Sequence, residues 1–321
     1  MGAYLGIDVG SVTTKFAVLD ENDELVTHNY LLTQGKPIVM VQQGLRQIQQ
    51  QLPQGVEISG VATTGSARYL AGVIVGADLV KNEITSHAVG ALHYFPEVQT
   101  IIEIGGQDSK IIIVRDGVVT DFGMNTVCAA GTGSFLDHQA LRLNLSIEEF
   151  SQRALDSKNP VRIAGRCTVF AESDMVHKQQ MGHRTEDILY GLCQALVRNY
   201  LNNVGLGKEK KSPIVFQGGV AFNRAIVKAL EEELGTEVIV PPHHEIMGAI
   251  GAALLVHEDT ISNHSTSQFK GFGVSEVKYH TSSFECQACP NLCEIAQLSI
   301  NGQVLARWGG RCDLWERSPS K

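Results

Sequence analysis

The sequence predicts an α/β protein of two similar domains followed by a small cysteine-rich module. Three observations predict it. A pattern of strand, glycine turn, strand, hairpin, strand and then helix occurs twice, starting at LGIDVGSVTTKFAVLD and at IIEIGGQDSKIIIVRDG. In each copy the apolar pattern passes from strand runs to helical spacing. Residues 284–321 hold Cys286, Cys289, Cys293 and Cys312 out of seven cysteines in the chain. A duplication of this size is an architectural signal, and it predicts two α/β domains facing each other across a cleft.

In the first copy, residues 4–9 read as a short apolar strand, Gly10 and Ser11 as a turn, and 15–19 and 25–31 as two further strands joined by the polar turn 20–24. A helix is predicted over 37–51, with apolar side chains at Ile38, Val41, Leu45 and Ile48. A strand over 58–63 ends at Thr64 and Gly65. The second copy runs through strands 98–104, 110–114 and 118–122, with Asp116-Gly117 as a hairpin turn. Helices are predicted over 130–141, 146–154, 171–178 and 185–203. Strand 214–217, helix 223–234, strand 237–240 and a closing helix 248–257 complete it. The domains expected are 1–96 and 97–245, with 246–257 packing back on the first. Residues 258–283, polar and rich in Ser, Thr and Gly, read as a linker, and 284–321 as a metal-binding module.

The chain has 321 residues, enough for two ordinary domains. Its formal net charge of −8 argues against a mainly phosphate-driven nucleic-acid binder. No apolar run is long enough to span a membrane. The start MGAYLGIDVG lacks the pattern of a secretory signal, and Gly6 breaks that of a myristoylation site. A cytoplasmic location is expected, where cysteines are thiols or metal ligands rather than disulfides.

Asp8, Gly10, Ser11, Thr13, Thr14 and Lys15 stand at a strand–turn–strand junction. Glycine lets the backbone approach a phosphate, and backbone N–H groups in such a turn form an anion-binding concavity. The hydroxyls add donors, Lys15 adds charge, and Asp8 suits Mg²⁺ held through water. Alone, the segment reads equally well as a polar hairpin tip. Glu103, Gly105, Gly106, Gln107 and Asp108 repeat the design, and the pair would clamp a triphosphate. Gly218, Gly219, Ala221 and Asn223 end a strand and open a helix, where glycine lets a nucleoside lie against backbone. There is no P-loop and no dinucleotide fingerprint.

These three segments, in this order, resemble the acetate and sugar kinase, Hsp70 and actin superfamily. More narrowly, residues 1–257 resemble the BadF/BadG/BcrA/BcrD ATPase family, and within it the activators of (R)-2-hydroxyacyl-CoA dehydratases. The narrower resemblance lies in the run from Asn125 through Cys128, Gly131, Thr132, Gly133 and Leu136 to Asp137, and in Arg166-Cys167-Thr168-Val169-Phe170-Ala171-Glu172-Ser173. Glu103 stands where the superfamily usually carries Asp, its longer arm still able to hold Mg²⁺ through water.

Cys128 and Cys167 each precede a predicted helix, where the partial positive charge favours a thiolate. Two thiols are half of a four-thiolate shell, and a twofold dimer supplies each ligand twice. The resemblance implies one [4Fe–4S] cluster shared by two subunits through these residues. Without their flanking motifs both would read as buried structural cysteines. Cys193, among Leu189, Leu192 and Leu196, reads as core, and the histidines as ordinary helix or loop residues.

Cys286, Cys289, Cys293 and Cys312 match structural Zn²⁺ or a second iron–sulfur cluster equally well in count. A metal staple suits a module too small for its own core, and unmetallated redox or docking thiols are the alternative. The segment resembles one found beside this ATPase domain in longer, fused relatives.

The resemblance implies an ATPase with Mg²⁺ and ATP or ADP, a homodimer reduced by ferredoxin or flavodoxin, and a dehydratase or related reductase component as electron acceptor. Asp8, Glu103 and Asp108 would hold Mg²⁺ or orient the attacking water, and Gln107 would position that water. Ser11, Thr13, Thr14, Lys15, Gly105 and Gly106 would cradle phosphates, with Gly131, Thr132 and Gly133 beside them. Gly218, Gly219, Ala221 and Asn223 would face the nucleoside. Two other readings stay open: a sugar-type kinase, which has no use for Cys128 and Cys167, and a nucleotide-switched metal-binding regulator.

Overall fold

A computed structural model describes residues 2–125, 127–264, 266–312 and 314–315. The chain forms two compact units, one from Met1–Ser86 and Gly248–Lys321, the other from His87–Met247.

The first unit opens with strands β1 (Gly2–Val9), β2 (Thr13–Asp20) and β3 (Leu25–Leu32), then helix α1 (Pro37–Gln51) and strand β4 (Glu57–Thr64). β1 is central and buried on both faces, which is why it reads as an unbroken apolar run rather than an alternating one. Proline at the start of α1 forgoes only an N–H that has no helical partner. Its Val41, Leu45 and Ile48 are buried on one face. Helix α2 (Arg68–Val75), strand β5 (Leu79–Val80) and helix α3 (Glu83–Tyr94) follow. The sequence reading passed over these three. α2 is RYLAGVIV, nearly apolar all round and mostly buried, so it carries no clear polar stripe to signal a helix.

The second unit repeats the plan with strands β6 (Thr100–Ile104), β7 (Ser109–Arg115) and β8 (Val118–Asn125). Helices α4 (Gly133–Arg142), α5 (Ile147–Leu155), α6 (Thr168–Gln180) and α7 (Thr185–Asn203) follow, then β9 (Ile214–Gln217), α8 (Arg224–Leu234) and β10 (Val238–Ile239). The two sheets run β3-β2-β1-β4-β5 and β8-β7-β6-β9-β10, the same order of equivalent strands. The duplicated α/β fold expected from the repeat is therefore the fold found.

Helix α9 (Met247–Asn263) runs six residues beyond the predicted 257. Packing at Gly6 seats it on β1, since a Cβ there would overlap the Ala249 carbonyl. The stretch read as a linker contains the end of α9 and a 3-10 turn over Phe272–Glu276. Gln42 Nε2 of α1 donates to the carbonyls of Val274 (3.1 Å) and Val277 (2.7 Å), and Lys270 N donates to Val75 O of α2 (2.9 Å). Strands β11 (His280–Glu285), β12 (Glu294–Ile300) and β13 (Gln303–Trp308) make a third, antiparallel sheet. Leu298 is fully buried in the core of the first unit, and Leu305 and Trp308 pack against that core. This answers the expectation that so small a module lacks a core: it shares one. Among the described residues, no helix is long and apolar enough to cross a membrane.

Candidate functional site

In the first unit the β1–β2 turn places Asp8 opposite Lys15, and Lys15 Nζ donates to Asp8 Oδ2 at 3.0 Å. Asp8 is buried and Ser11 exposed. Gly10 N donates to Thr13 O (2.9 Å), closing the turn, and Thr33 Oγ1 donates to Gly10 O (2.9 Å) from behind. Thr14 is fully buried and shares a hydroxyl hydrogen bond with Thr33 (2.9 Å). Its hydroxyl braces the turn from behind.

The second unit builds the same turn. Glu103 lies opposite Lys110, at the same sequence separation as Asp8 and Lys15. Lys110 Nζ, buried, lies 3.0 Å from both Glu103 Oε2 and Asp108 Oδ2. Gln107 is exposed at the tip. Lys110 escaped the sequence reading, although aligning the two repeat starts puts it under Lys15.

Gly218 ends β9 with φ +94°, and a Cβ there would sit 2.8 Å from Glu103 Oε1 and 2.5 Å from Ile104 O. Gly65, after β4, has φ +92° and approaches Asp8 Oδ1 and Val9 O as closely, at 2.6 and 2.5 Å. Only glycine serves at both places. The duplication thus gives Gly218 a counterpart that the sequence reading left as a strand end. After Gly218, Gly219–Phe222 form a 3-10 turn with Ala221 buried, and Asn223 Oδ1 caps α8 by accepting from Ala225 N and Ile226 N. Its Nδ2 is buried with no hydrogen-bond partner, as are Gln217 Oε1 and, beside Asp8, Thr64 Oγ1. Orphaned buried polar atoms at these strand ends fit a polar ligand that completes them.

Cys128 and Cys167 both lie in the second unit, partly exposed. Cys128 precedes a 3-10 turn over Ala129–Gly131, which delays α4 to Gly133 rather than the predicted 130. Cys167 caps α6, which begins at Thr168 rather than 171. Asn125 brackets Cys128, with Oδ1 accepting its N–H (2.9 Å) and Nδ2 donating to its carbonyl (2.7 Å). Thr132 is fully buried and its hydroxyl donates to Ala129 O (2.9 Å), so it shapes this loop. Gly131 packs on Asn199 and Tyr200 of α7.

The Cys128 loop is joined to the β6–β7 turn. Gly133 N donates to Gly105 O (2.9 Å), and Ser134 donates to Gly106 O from both N (2.8 Å) and Oγ. α4, which starts just after Cys128, is therefore fastened by its first residues to the Gly105–Gly106 backbone. The helices that follow the two cysteines are also tied to each other, Arg142 of α4 pairing with Glu172 of α6. Val127, next to Cys128, and Val169 and Phe170, just after Cys167, are exposed. Two accessible thiols at helix starts, bordered by uncovered apolar side chains, fit half of a four-thiolate shell completed by a second copy. Cys193 is buried in α7, and burial pushes its thiol pKa up.

The tail thiols stand apart from one another among the described residues. Among the described residues no three of its thiols come within 4.8 Å of one another. Cys286 is buried and its Sγ accepts the Trp315 indole N–H (3.1 Å), while Cys289 and Cys312 are exposed. Trp315 also packs edge-on to Phe284 and under Arg307. Aromatic packing and the shared core hold the third sheet in place. Residues 313 and 316–321 of the expected module lie outside the described residues.

The model of the BadF/BadG/BcrA/BcrD ATPase family matches residues 5–256. The chain belongs to this family. It is 36% identical over 263 residues to the (R)-2-hydroxyglutaryl-CoA dehydratase activating ATPase of Acidaminococcus fermentans, covering 79% of this chain and 96% of that one. The solved activator of the 2-hydroxyisocaproyl-CoA dehydratase from Clostridium difficile, with bound ADPNP, superposes with a TM-score of 0.73 at 31% identity, over 82% of this chain and 97% of that one. A ROK family glucokinase from Streptomyces griseus shares the fold alone, with a TM-score of 0.51 at 12% identity over 80% of this chain and all of that one. The third sheet lies beyond the residues matched by the family model.

Proposed function

We propose that this protein is an ATP-hydrolysing activator that delivers a low-potential electron to a 2-hydroxyacyl-CoA dehydratase or a related reductase component. The observation that carries the proposal is the backbone joint between Gly105–Gly106 and Gly133–Ser134. A turn built to feel phosphate is fastened to the helix that starts beside Cys128. The relatives' activity on acyl-CoA dehydratases and the ADPNP bound to one of them support the same reading.

Asp8, Glu103 and Asp108 are the proposed Mg²⁺ and water-orienting groups, with Gln107 at the tip to position the attacking water. Ser11, Thr13 and Lys15 face phosphate together with Gly10, Gly105 and Gly106. Lys110 holds Glu103 and Asp108 in place, which matters because phosphoryl transfer is mostly positioning and charge stabilisation. Gly218, Gly219, Ala221 and Asn223 receive the nucleoside. Cys128 and Cys167, with the same two residues of a second copy, are the proposed ligands of one [4Fe–4S] cluster, and the exposed apolar side chains around them are the proposed dimer contact. Such a cluster supplies a one-electron carrier whose potential responds to exposure and hydrogen bonding. Nucleotide-dependent movement of the Gly105–Gly106 turn pulls on α4 and so alters the setting of Cys128. Ferredoxin or flavodoxin is the proposed reductant.

The test is anaerobic reconstitution of the full chain with iron and sulfide. The expected product is a brown dimer with about four iron atoms per two chains. Cys128→Ser and Cys167→Ser should each lose the iron and keep ATP binding. A colourless monomer, or iron retained in the double variant, would overturn the proposal. ATP consumption that requires a sugar acceptor would point to a kinase instead.

A further inference from the structure

We infer that Asn199 is the positioning residue that fixes the Cys128 and Cys167 loops relative to each other, so that the thiols of one chain are presented as a set. The inference deepens the proposed function and rests on it only for what the thiols hold. Asn199 lies in α7, buried at 4% exposure. Its Nδ2 donates to the carbonyl of Gly165, two residues before Cys167. Its Oδ1 accepts from Asn203 Nδ2 one turn further along the helix (2.8 Å), which sets the orientation of the amide.

The same Oδ1 lies 2.9 Å from where a Cβ on Gly131 would stand, three residues after Cys128. A Cβ on Gly165 would stand 2.9 Å from Ala195 O, one turn earlier on α7. Both loops are therefore pressed onto adjoining turns of one helix at glycines, and one amide side chain touches both. The next residue, Tyr200, donates its hydroxyl to Lys110 O at 2.8 Å, so this part of α7 is also anchored to the strand that carries the phosphate-turn lysine. Removing the Asn199 amide leaves the Gly165 carbonyl without its donor and opens space beside Gly131. A buried polar group stripped of its partner favours local opening.

The experiment uses reduced, metal-free, full-length protein alkylated with iodoacetamide, with labelling of each cysteine followed by peptide mass spectrometry. In Asn199→Ala, labelling of Cys128 and Cys167 should accelerate together, by about three- to tenfold, the change in opening expected for one lost hydrogen bond. Cys193, fully buried, should stay unlabelled and report an intact fold. Gly131→Ala should push the Asn199 side chain and so raise labelling at Cys167, on the other loop. In the Asn199→Ala background the same change should add nothing at Cys167. The inference is overturned if Asn199→Ala leaves either cysteine at its wild-type rate with Cys193 protected, or if Gly131→Ala acts on Cys167 equally with and without Asn199. Should Asn199→Ala expose Cys193, the Gly131→Ala variant alone decides, and an unchanged Cys167 overturns the inference. Labelling is read without metal, so this outcome is separate from the iron content that tests the proposed function.

Discussion

In the first unit β3 leads within a few residues into α1 and then β4. In the second, residues 126–184 intervene between β8 and α7, and only then does β9 take its place in the sheet. The β1–β2 and β6–β7 turns before these points are near copies, with a carboxylate facing a lysine in register and a left-handed glycine behind it. Both Cys128 and Cys167 lie in the intervening segment, and that segment is fastened to the second turn through Gly133 and Ser134. One turn design is thus used twice, and its output differs because one copy has an attachment. The second turn is fastened at Gly105 and Gly106 to the start of α4.

The largest expected effect tests how alike the turns are. Lys110 is almost fully buried between two carboxylates, whereas Lys15 is partly exposed. Lys110→Met leaves buried negative charge uncompensated and should cost about 3–5 kcal/mol in urea unfolding. Lys15→Met should cost less and act chiefly on nucleotide affinity. Equal stability losses would break the distinction between the two turns.

A middle-sized effect concerns how the intervening segment is anchored to α7. Asp187 accepts from Asn159 N (2.9 Å), Ser157 Oγ (2.8 Å) and Lys158 N (2.9 Å). The Asn159 N–H foremost, then Ser157 and Lys158, hold its carboxyl below the usual range. Because the folded value is depressed, its contribution is full above about pH 4 and is lost as pH falls from there. Unfolding midpoints followed from pH 7 to pH 3 should fall less steeply in Asp187→Asn than in wild type. Parallel curves would remove Asp187 as an anchor.

The smallest effect sharpens the comparison most. Ser134→Ala removes one hydroxyl hydrogen bond to Gly106 and should cost about 0.5–1.5 kcal/mol. It should also shrink the change in Cys128 labelling that a non-hydrolysable ATP analogue produces. A full-sized change in this variant would show that Ser134 does not carry the signal.

The sheets were legible because their strands are apolar runs between glycine turns, and the duplication showed twice what one copy left ambiguous. Helix α7 was read at its observed bounds because nineteen residues without a proline leave a long, unbroken helical stretch. α2 was not, since eight mostly apolar residues are as short as a buried strand and give no length to decide between the two. At the candidate site, the residues the sequence could name are those whose type announces chemistry: Asp8, Lys15, Cys128, Cys167 and the glycine pairs. Lys110 stands in alignment with Lys15, but at the head of an apolar run it carries no mark of its own. Ser134 and Asn199 had no such signal, as their importance comes from backbone carbonyls brought to them by tertiary packing. In the tail the four thiols drew the reading by their spacing, while Leu298 and Trp308, which tie the strands to the first unit's core, carry no such mark in the sequence.

That shared core has a consequence for any shortened form of the chain. β13 lies against α2, so cutting after α9 would strip an oily flank of the first unit and leave it bare to water. A homologue that ends at that point has to wear polar side chains there, and a trimmed version of this protein made without such repainting is expected to clump.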